Sequence, residues 1–303
     1  VRILITGASG LVGTLVVRLA SPKHEVLGLD RARLDIVNRD DVLRVFREFA
    51  PEAVLHCAAY TDVDGAERAP EKALEVNATG ARVVAESARE FEALVLYVST
   101  DYVFDGEATA PYREEEPPRP LSSYGRSKLE GERAVAETCP ESHVIVRTGW
   151  LYGPGKGFVD WARERLRRGE ELSLVENQTG SPTSASELAA AMLTLVEGNH
   201  RGLFHFVNQG EASWLALGKA VAEELALSPG RIRAIQAADL NRPAPRPRYS
   251  VLSVERFEKS TGRTVTGWRE ALHRYLAGVI NPSAARAEGE SRSESRGGGA
   301  PRH

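Results

Sequence analysis

The sequence predicts a doubly wound α/β fold, and three observations predict it. Short apolar runs alternate with longer amphipathic stretches through the first half of the chain. Those runs are continuous rather than alternating, as strands covered on both faces require. A glycine-rich turn, Gly7-Ala8-Ser9-Gly10-Leu11-Val12-Gly13, joins the first run to the first amphipathic stretch. Strand–helix alternation of this kind implies a parallel sheet wound on both sides by helices.

Taken in order, Arg2–Thr6 (RILIT), Glu25–Leu29 (EVLGL), Ala53–His56 (AVLH), Leu94–Val98 (LVLYV) and His143–Arg147 (HVIVR) read as buried strands. Between them, Leu11–Ala20 starts directly after a glycine, and Arg39–Phe49 follows Asn38, a residue able to cap it. Glu71–Phe91 carries apolar positions at helical spacing, and Ser122–Thr138 ends before Pro140. Residues 1–150 are thus read as a Rossmann-type dinucleotide-binding domain.

After Trp150 the rhythm loosens. Phe158–Arg168, Ser184–Glu197 and Trp214–Leu227 are helix candidates, Gly202–Val207 is a strand, and a Pro/Arg-rich loop at 242–248 precedes a last helical stretch to about Leu276. Elements at about 184–228 are expected to return to the main sheet. The stretches 151–183 and 229–280 are expected to form a smaller α/β substrate lobe. From 281 to 303 the chain is Ser, Arg, Glu, Gly and Ala without periodicity, a composition that predicts a disordered tail.

Composition excludes several function classes. With 39 basic against 42 acidic side chains, the field is too weak to argue for a nucleic-acid or membrane partner. No apolar run approaches the roughly 20 residues of a spanning helix. The first run leads straight into glycines, which does not read as a secretory signal. Cys57 and Cys139 have no ligand spacing, and no HExxH-type pair occurs among the histidines, so no metal is expected. A cytoplasmic location follows.

The glycine turn has the context that a phosphate-binding loop needs: it follows a strand and opens a helix, so backbone amides can approach a pyrophosphate. The second strand is followed by Asp30, placed to accept from a ribose hydroxyl. Arg31 and Arg33 come next and can meet a 2′-phosphate or simply face solvent. NADH and NADPH both stay open as cofactor.

Ser123-Tyr124-Gly125-Arg126-Ser127-Lys128 sets a tyrosine and a lysine on one face of a helix, one turn apart. An ammonium beside a phenol favours phenolate, and reduction of a ketone needs a proton donor for the new alkoxide. The strand LVLYV ends in Ser99-Thr100-Asp101, so the Thr100 hydroxyl projects at the sheet edge where ligands bind, able to donate to a carbonyl.

Six segments carry a family resemblance: HCAAYTDVDGAE (56–67), VNATGA (76–81), STDYVFDG (99–106), PYREEEPPRPLSSYGRSKLEGE (111–132), RTGWLYG (147–153) and NQTGSPTS (177–184). Together they resemble the dTDP-4-dehydrorhamnose reductases, within the extended short-chain dehydrogenases. The resemblance implies NAD(P)H-dependent reduction of the C4 keto group of dTDP-4-dehydro-L-rhamnose. It implies Thr100, Tyr124 and Lys128 as the catalytic group and Gly7, Gly10, Leu11, Val12 and Gly13 at the pyrophosphate. Asp35 and Ile36 would lie at the adenine, and Ala58, Ala59 and Tyr60 beside the ribose and nicotinamide. Thr61 and Val63 would touch the sugar, Trp150 would form a flat wall against it, and Arg246 would meet the diphosphate. A homodimer stays open.

Two other readings share parts of this pattern. A sugar-nucleotide dehydratase or epimerase uses the same fold, but related dehydratases carry Asp-Glu after the catalytic threonine, where this chain has Asp101-Tyr102. The regulatory beta subunit of methionine adenosyltransferase is also similar through DYVFDG, PYREE and the YGxxK helix. Thr100 and Trp150 favour the reductase reading over that one.

Overall fold

The computed structural model describes residues 1–155 and 157–280; the expected disordered tail, 281–303, lies outside the described residues. The elements run in chain order as β1 (Arg2–Thr6), α1 (Leu11–Ala20), β2 (Glu25–Leu29), α2 (Arg39–Phe49), β3 (Ala53–His56), α3 (Val63–Arg68), α4 (Pro70–Leu74), α5 (Gly80–Glu90), β4 (Leu94–Thr100) and α6 (Ser123–Thr138). They continue with β5 (His143–Thr148), β6 (Leu151–Tyr152), α7 (Phe158–Arg167), β7 (Leu172–Val175), β8 (Thr179–Gly180), β9 (Thr183–Ser184), α8 (Ala185–Glu197), β10 (Gly202–His205), β11 (Ala212–Ser213), α9 (Trp214–Glu224), β12 (Ile232–Ile235), α10 (Glu255–Thr261) and α11 (Trp268–Ile280).

Six strands form one parallel sheet in the order β10-β5-β4-β3-β1-β2. The chain leaves β1 for β2 on one side and then crosses to β3 on the other. The gap beyond the carboxyl ends of β1 and β3 is therefore the switch point, where doubly wound sheets bind ligands. Each face of the sheet has its own core. Ile3, Ile5, Leu55 and Leu96 pack beneath α1 and α8, while Leu4, Val54, Val95 and Tyr97 pack beneath α2, α5 and α6. Because strand residues alternate faces, burying both sides requires the continuous apolar runs seen in the sequence.

Local chemistry sets the helix ends. The Asn38 side chain accepts from the amides of Asp40 and Asp41, and Ser122 caps α6 by accepting from Gly125. The stretch expected as one helix, Glu71–Phe91, is helical without interruption from Pro70 to Glu90, with α4 and α5 joined by a π-helical turn over Glu75–Thr79. The widened turn seats the buried Asn77, whose side chain holds the amide and carbonyl of Tyr60 and the Ser127 hydroxyl. Such π turns often occur at functional sites.

A third core belongs to the second half of the chain. Tyr152, Val159, Leu172, Leu217, Trp268 and Leu272 gather α7, β7, α9, β12 and α11 around one apolar centre. Within the stretch 184–228, α8 and β10 join the main sheet and its core, but α9 packs on α7, β7 and β12. Its apolar stripe, Leu217, Ala220 and Val221, is matched there by Leu172 and Leu174.

One close approach locks α6 against the sheet. A Cβ at Gly131 would fall 2.2 Å from the Asn77 carbonyl oxygen and 2.2 Å from the Tyr97 hydroxyl. Gly131→Ala must therefore lift the helix or shift the π turn, an overpacking cost of about 1–3 kcal/mol. Urea unfolding should show a clearly lowered midpoint; an unchanged midpoint would mean that the helix is not seated this tightly.

Candidate active site

A cavity of about 640 Å³ opens at the switch point, and most residues singled out in the sequence meet there. Its floor is the glycine turn. Gly7 lies at φ +68°, and a Cβ on it would run into the backbone of Ala58 at 2.6 Å, so the turns after β1 and β3 can touch only through glycine. Gly13 lets α1 begin directly over the turn, since a Cβ there would meet the Gly7 carbonyl oxygen at 2.2 Å. Gly10, the N-cap, brings no side-chain acceptor to the first helical turn. The amides of Leu11, Val12 and Gly13 therefore keep donors for an anion at the positive helix end. A pyrophosphate fits this cradle.

Further along the wall, Asp30 and Arg31 line the cavity after β2, followed by Asp35 and the buried Ile36. Arg33 does not line it; its guanidinium donates back to the Gly28 carbonyl at 3.2 Å. Ala58, Ala59, Tyr60, Thr61 and Val63 line it from the segment after β3.

At the far end stand Thr100, Tyr124 and Lys128, brought together from the end of β4 and the first turns of α6. The Thr100 hydroxyl donates to Asp101 Oδ1 at 3.1 Å and caps the following turn by accepting from the Tyr102 amide at 3.2 Å. The threonine is thus both a strand-end cap and a hydroxyl at the cavity.

The expected lowering of the Tyr124 pKa by Lys128 is not what the structure shows. Burial pushes the phenol up to about 12, with the Asp101 carboxylate adding to the rise and the Thr100 hydroxyl opposing it. Lys128 is itself buried, and burial pushes its ammonium down to about 7 against the upward pull of Glu132. Its Nζ lies 3.9 Å from the centre of the Tyr97 ring, a cation–π contact. Desolvation leads the causes of the rise and Lys128 is not among them, so the phenol stays protonated near neutrality.

Two further expectations need correction or extension. Arg246 does not line the cavity. Its guanidinium is forked onto Asp64 (2.9 and 2.8 Å) and its Nη1 also reaches the Ala244 carbonyl, so the fork a diphosphate would need is already given to a carboxylate. The pair holds the Asp64 carboxyl down to about 2, chiefly through Arg246's hydrogen bonds. Trp150 does line the cavity, but it has a partner the sequence did not reveal. Trp214, at the start of α9, stacks on it with ring centres 3.6 Å apart and planes 5° from parallel. Gly180 makes room for the pair, since a Cβ there would lie 2.3 Å from the Trp150 ring. Nothing in local spacing links Trp150 to Trp214; only the fold does.

Asp101, which no local spacing marks out, also belongs to the cavity wall. Its side chain is 2% exposed, borders the cavity and packs against Gly149, where any Cβ would meet its carboxyl carbon at 2.6 Å. Burial pushes its pKa from 3.8 to about 6, despite hydrogen bonds from Ser250 and Thr100. A raised carboxyl pKa means that the folded chain binds the proton more tightly than the unfolded chain. Its contribution to stability is therefore most favourable below about pH 4 and is lost as pH rises through 6, in all about 3 kcal/mol. Asp101→Asn should accordingly gain on the parent in urea midpoint between pH 4 and pH 7. A difference that stays flat with pH would show that Asp101 titrates normally.

A family model described as the RmlD substrate binding domain matches residues 1–280. A dTDP-4-dehydrorhamnose reductase of Sinorhizobium fredii is 38% identical over 290 residues, covering 92% of this chain and 98% of the relative. A probable dTDP-4,6-dihydroxy-2-methyloxan-3-one 4-ketoreductase of Streptomyces antibioticus is 39% identical over 285 residues, covering 92% and 96%. Among solved structures, the dTDP-4-dehydrorhamnose reductase of Bacillus anthracis in complex with NADP superposes with a TM-score of 0.88 at 34% identity, covering 91% of this chain and 98% of that one.

Proposed function

This chain belongs to the dTDP-4-dehydrorhamnose reductase family, and from that premise we propose that it reduces the C4 keto group of dTDP-4-dehydro-L-rhamnose to dTDP-L-rhamnose. The observation that carries the reading is the meeting of Thr100, Tyr124 and Lys128 at the end of a cleft floored by the glycine turn. NADPH or NADH supplies the hydride when bound. The residues that would hold it are Gly7, Gly10, Leu11, Val12 and Gly13 at the pyrophosphate, Asp35 and Ile36 at the adenine, and Ala58, Ala59 and Tyr60 along the ribose and nicotinamide. Asp30 suits ribose hydroxyls, and Arg31 is the cation on this wall placed for a 2′-phosphate. The NADP-bound relative supports the phosphorylated form.

The roles of the protein's own groups follow from charge. Reduction moves negative charge onto the carbonyl oxygen, and Tyr124, kept protonated by burial, stands ready to donate to it. An alkoxide is a stronger base than a phenolate, so the transfer runs downhill even from a raised phenol. Thr100 adds a second hydrogen bond by exchanging Asp101 for the substrate oxygen as its acceptor. Lys128, buried one helical turn from Tyr124, stabilises the phenolate left behind. The stacked Trp150–Trp214 pair offers a rigid apolar face to the sugar ring, with Thr61 and Val63 on the same cavity wall system.

We assign the sugar-nucleotide lobe to 151–183 and 229–280, joined by α9, because α7, β7, β12 and α11 share the third core; within that span Leu252, Val254, Phe257 and Val265, around α10, pack instead in the core of the main sheet. A cytoplasmic location belongs to the same reading; two free cysteines are at home in a reducing compartment. No helix among the described residues is long and apolar enough to cross a membrane.

Tyr124→Phe should lower kcat on the dTDP-4-keto sugar by about 10²–10⁴-fold while cofactor affinity stays nearly unchanged. Lys128→Ala should weaken both. Steady-state kinetics beside a cofactor titration separates the two effects, and full activity of Tyr124→Phe would remove the tyrosine as proton donor.

A further inference from the structure

Tyr124, Lys128 and Glu132 occupy successive turns of α6, a spacing that aligns all three on one face. The first two line the cavity, while Glu132 lies behind them and is 5% exposed. Both of its oxygens are engaged. Oε1 accepts from Ser99 Oγ at 2.5 Å and from Arg147 Nε at 2.9 Å, and Oε2 accepts from Arg147 Nη2 at 2.7 Å. Ser99 is the neighbour of Thr100 on β4, and Arg147 is the neighbour of Thr148 on β5, itself a cavity residue. One carboxylate therefore ties together the strand that carries the hydroxyl, the helix that carries the phenol and ammonium, and the strand between β4 and β10.

Stability alone does not explain a buried ion pair, because apolar residues of equal volume commonly stabilise as well or better. The surroundings of Lys128 suggest what the pair does. Facing that ammonium are His56 and Cys57 at the end of β3, the Tyr97 ring from β4, and Glu132 on its own helix. His56 is held neutral by burial, its pKa pushed down to about 3, and burial pushes the Cys57 thiol up to about 12. Neither carries charge near neutrality. Glu132 is the one carboxylate in this set, and it opposes the downward push of burial on Lys128.

We propose that Glu132 is a positioning residue for the reduction: a counter-charge, fixed by Arg147 and Ser99, that keeps Lys128 an ammonium and holds α6 in register with β4 and β5. The proposal rests on the reading of Lys128 as part of the catalytic group, but the lysine's charge is measurable without any substrate.

The chain has six lysines, few enough to follow individually by NMR of ε-labelled lysine in the ligand-free protein, with Lys128 identified by its loss in Lys128→Met. Glu132→Gln leaves Arg147 an unpaired buried charge and should be less stable. The double variant Glu132→Gln/Arg147→Gln removes both charges together and keeps the fold testable. In folded Glu132→Gln the Lys128 titration should move down by about one pH unit, and in the double variant, where the opposing Arg147 charge goes too, by a smaller but resolved amount. The alkaline limb of kcat should move the same way, because the ammonium is then lost at lower pH. If the double variant titrates Lys128 where the parent does, Glu132 is only a structural partner of Arg147 and the proposal falls. A shifted titration in a protein that turns over no keto sugar, parent included, would uphold the counter-charge and overturn the reductase reading instead.

Discussion

The site depends on how closely one helix backbone is pressed to one strand. At Gly131 no side chain separates α6 from the Asn77 carbonyl and the Tyr97 hydroxyl, and that hydroxyl in turn donates to the same carbonyl at 2.9 Å. The Asn77 side chain continues the tie to Tyr60 and to Ser127 on α6. Through this knot the helix bearing the phenol, the strand bearing the hydroxyl and the loop after β3 cannot move independently. Catalytic groups drawn from separate elements need that coupling, since small misplacements of reacting groups are costly in rate.

The same close packing sets the electrostatics. The groups at the inner end of the cavity are desolvated, so burial acts against every charge there: the Lys128 ammonium and the His56 imidazolium are disfavoured, and so are the Tyr124 phenolate and the Asp101 carboxylate. A chamber of this kind favours neutral acids ready to give up a proton. It also makes each retained charge dependent on a fixed partner, which is why the ion pair behind Lys128 matters more than a surface pair would. Hydride reduction creates charge on the substrate oxygen, and in the proposed reaction the protonated phenol and the threonine hydroxyl, both at the cavity, are the donors that meet it.

Much of this was legible in the sequence where the signal is local. The continuous apolar runs marked the strands, the glycine turn marked the helix start, and the four-residue spacing of Tyr124 and Lys128 put both on one face. The DYVFDG segment is legible in hindsight for the same reason: Phe104 stacks on Tyr112 at 4.1 Å, and the Tyr112 hydroxyl bridges Asp105 and the Gly106 amide. What stayed hidden depends on tertiary neighbours. Trp214 meets Trp150 only after the lobe folds back, Arg246 is claimed by an aspartate far away in the chain, and the π turn that seats Asn77 lies inside a run that reads as one helix. The phenol's raised pKa is hidden for the same reason: spacing reveals a neighbouring charge but not the burial around it.

The carbon that receives the hydride defines the reaction. Purified protein supplied with deuterium-labelled NADPH and dTDP-4-dehydro-L-rhamnose should yield a sugar carrying deuterium at C4 alone, seen by NMR of the product. An unreacted keto sugar, or label at any other carbon, would contradict reduction at C4.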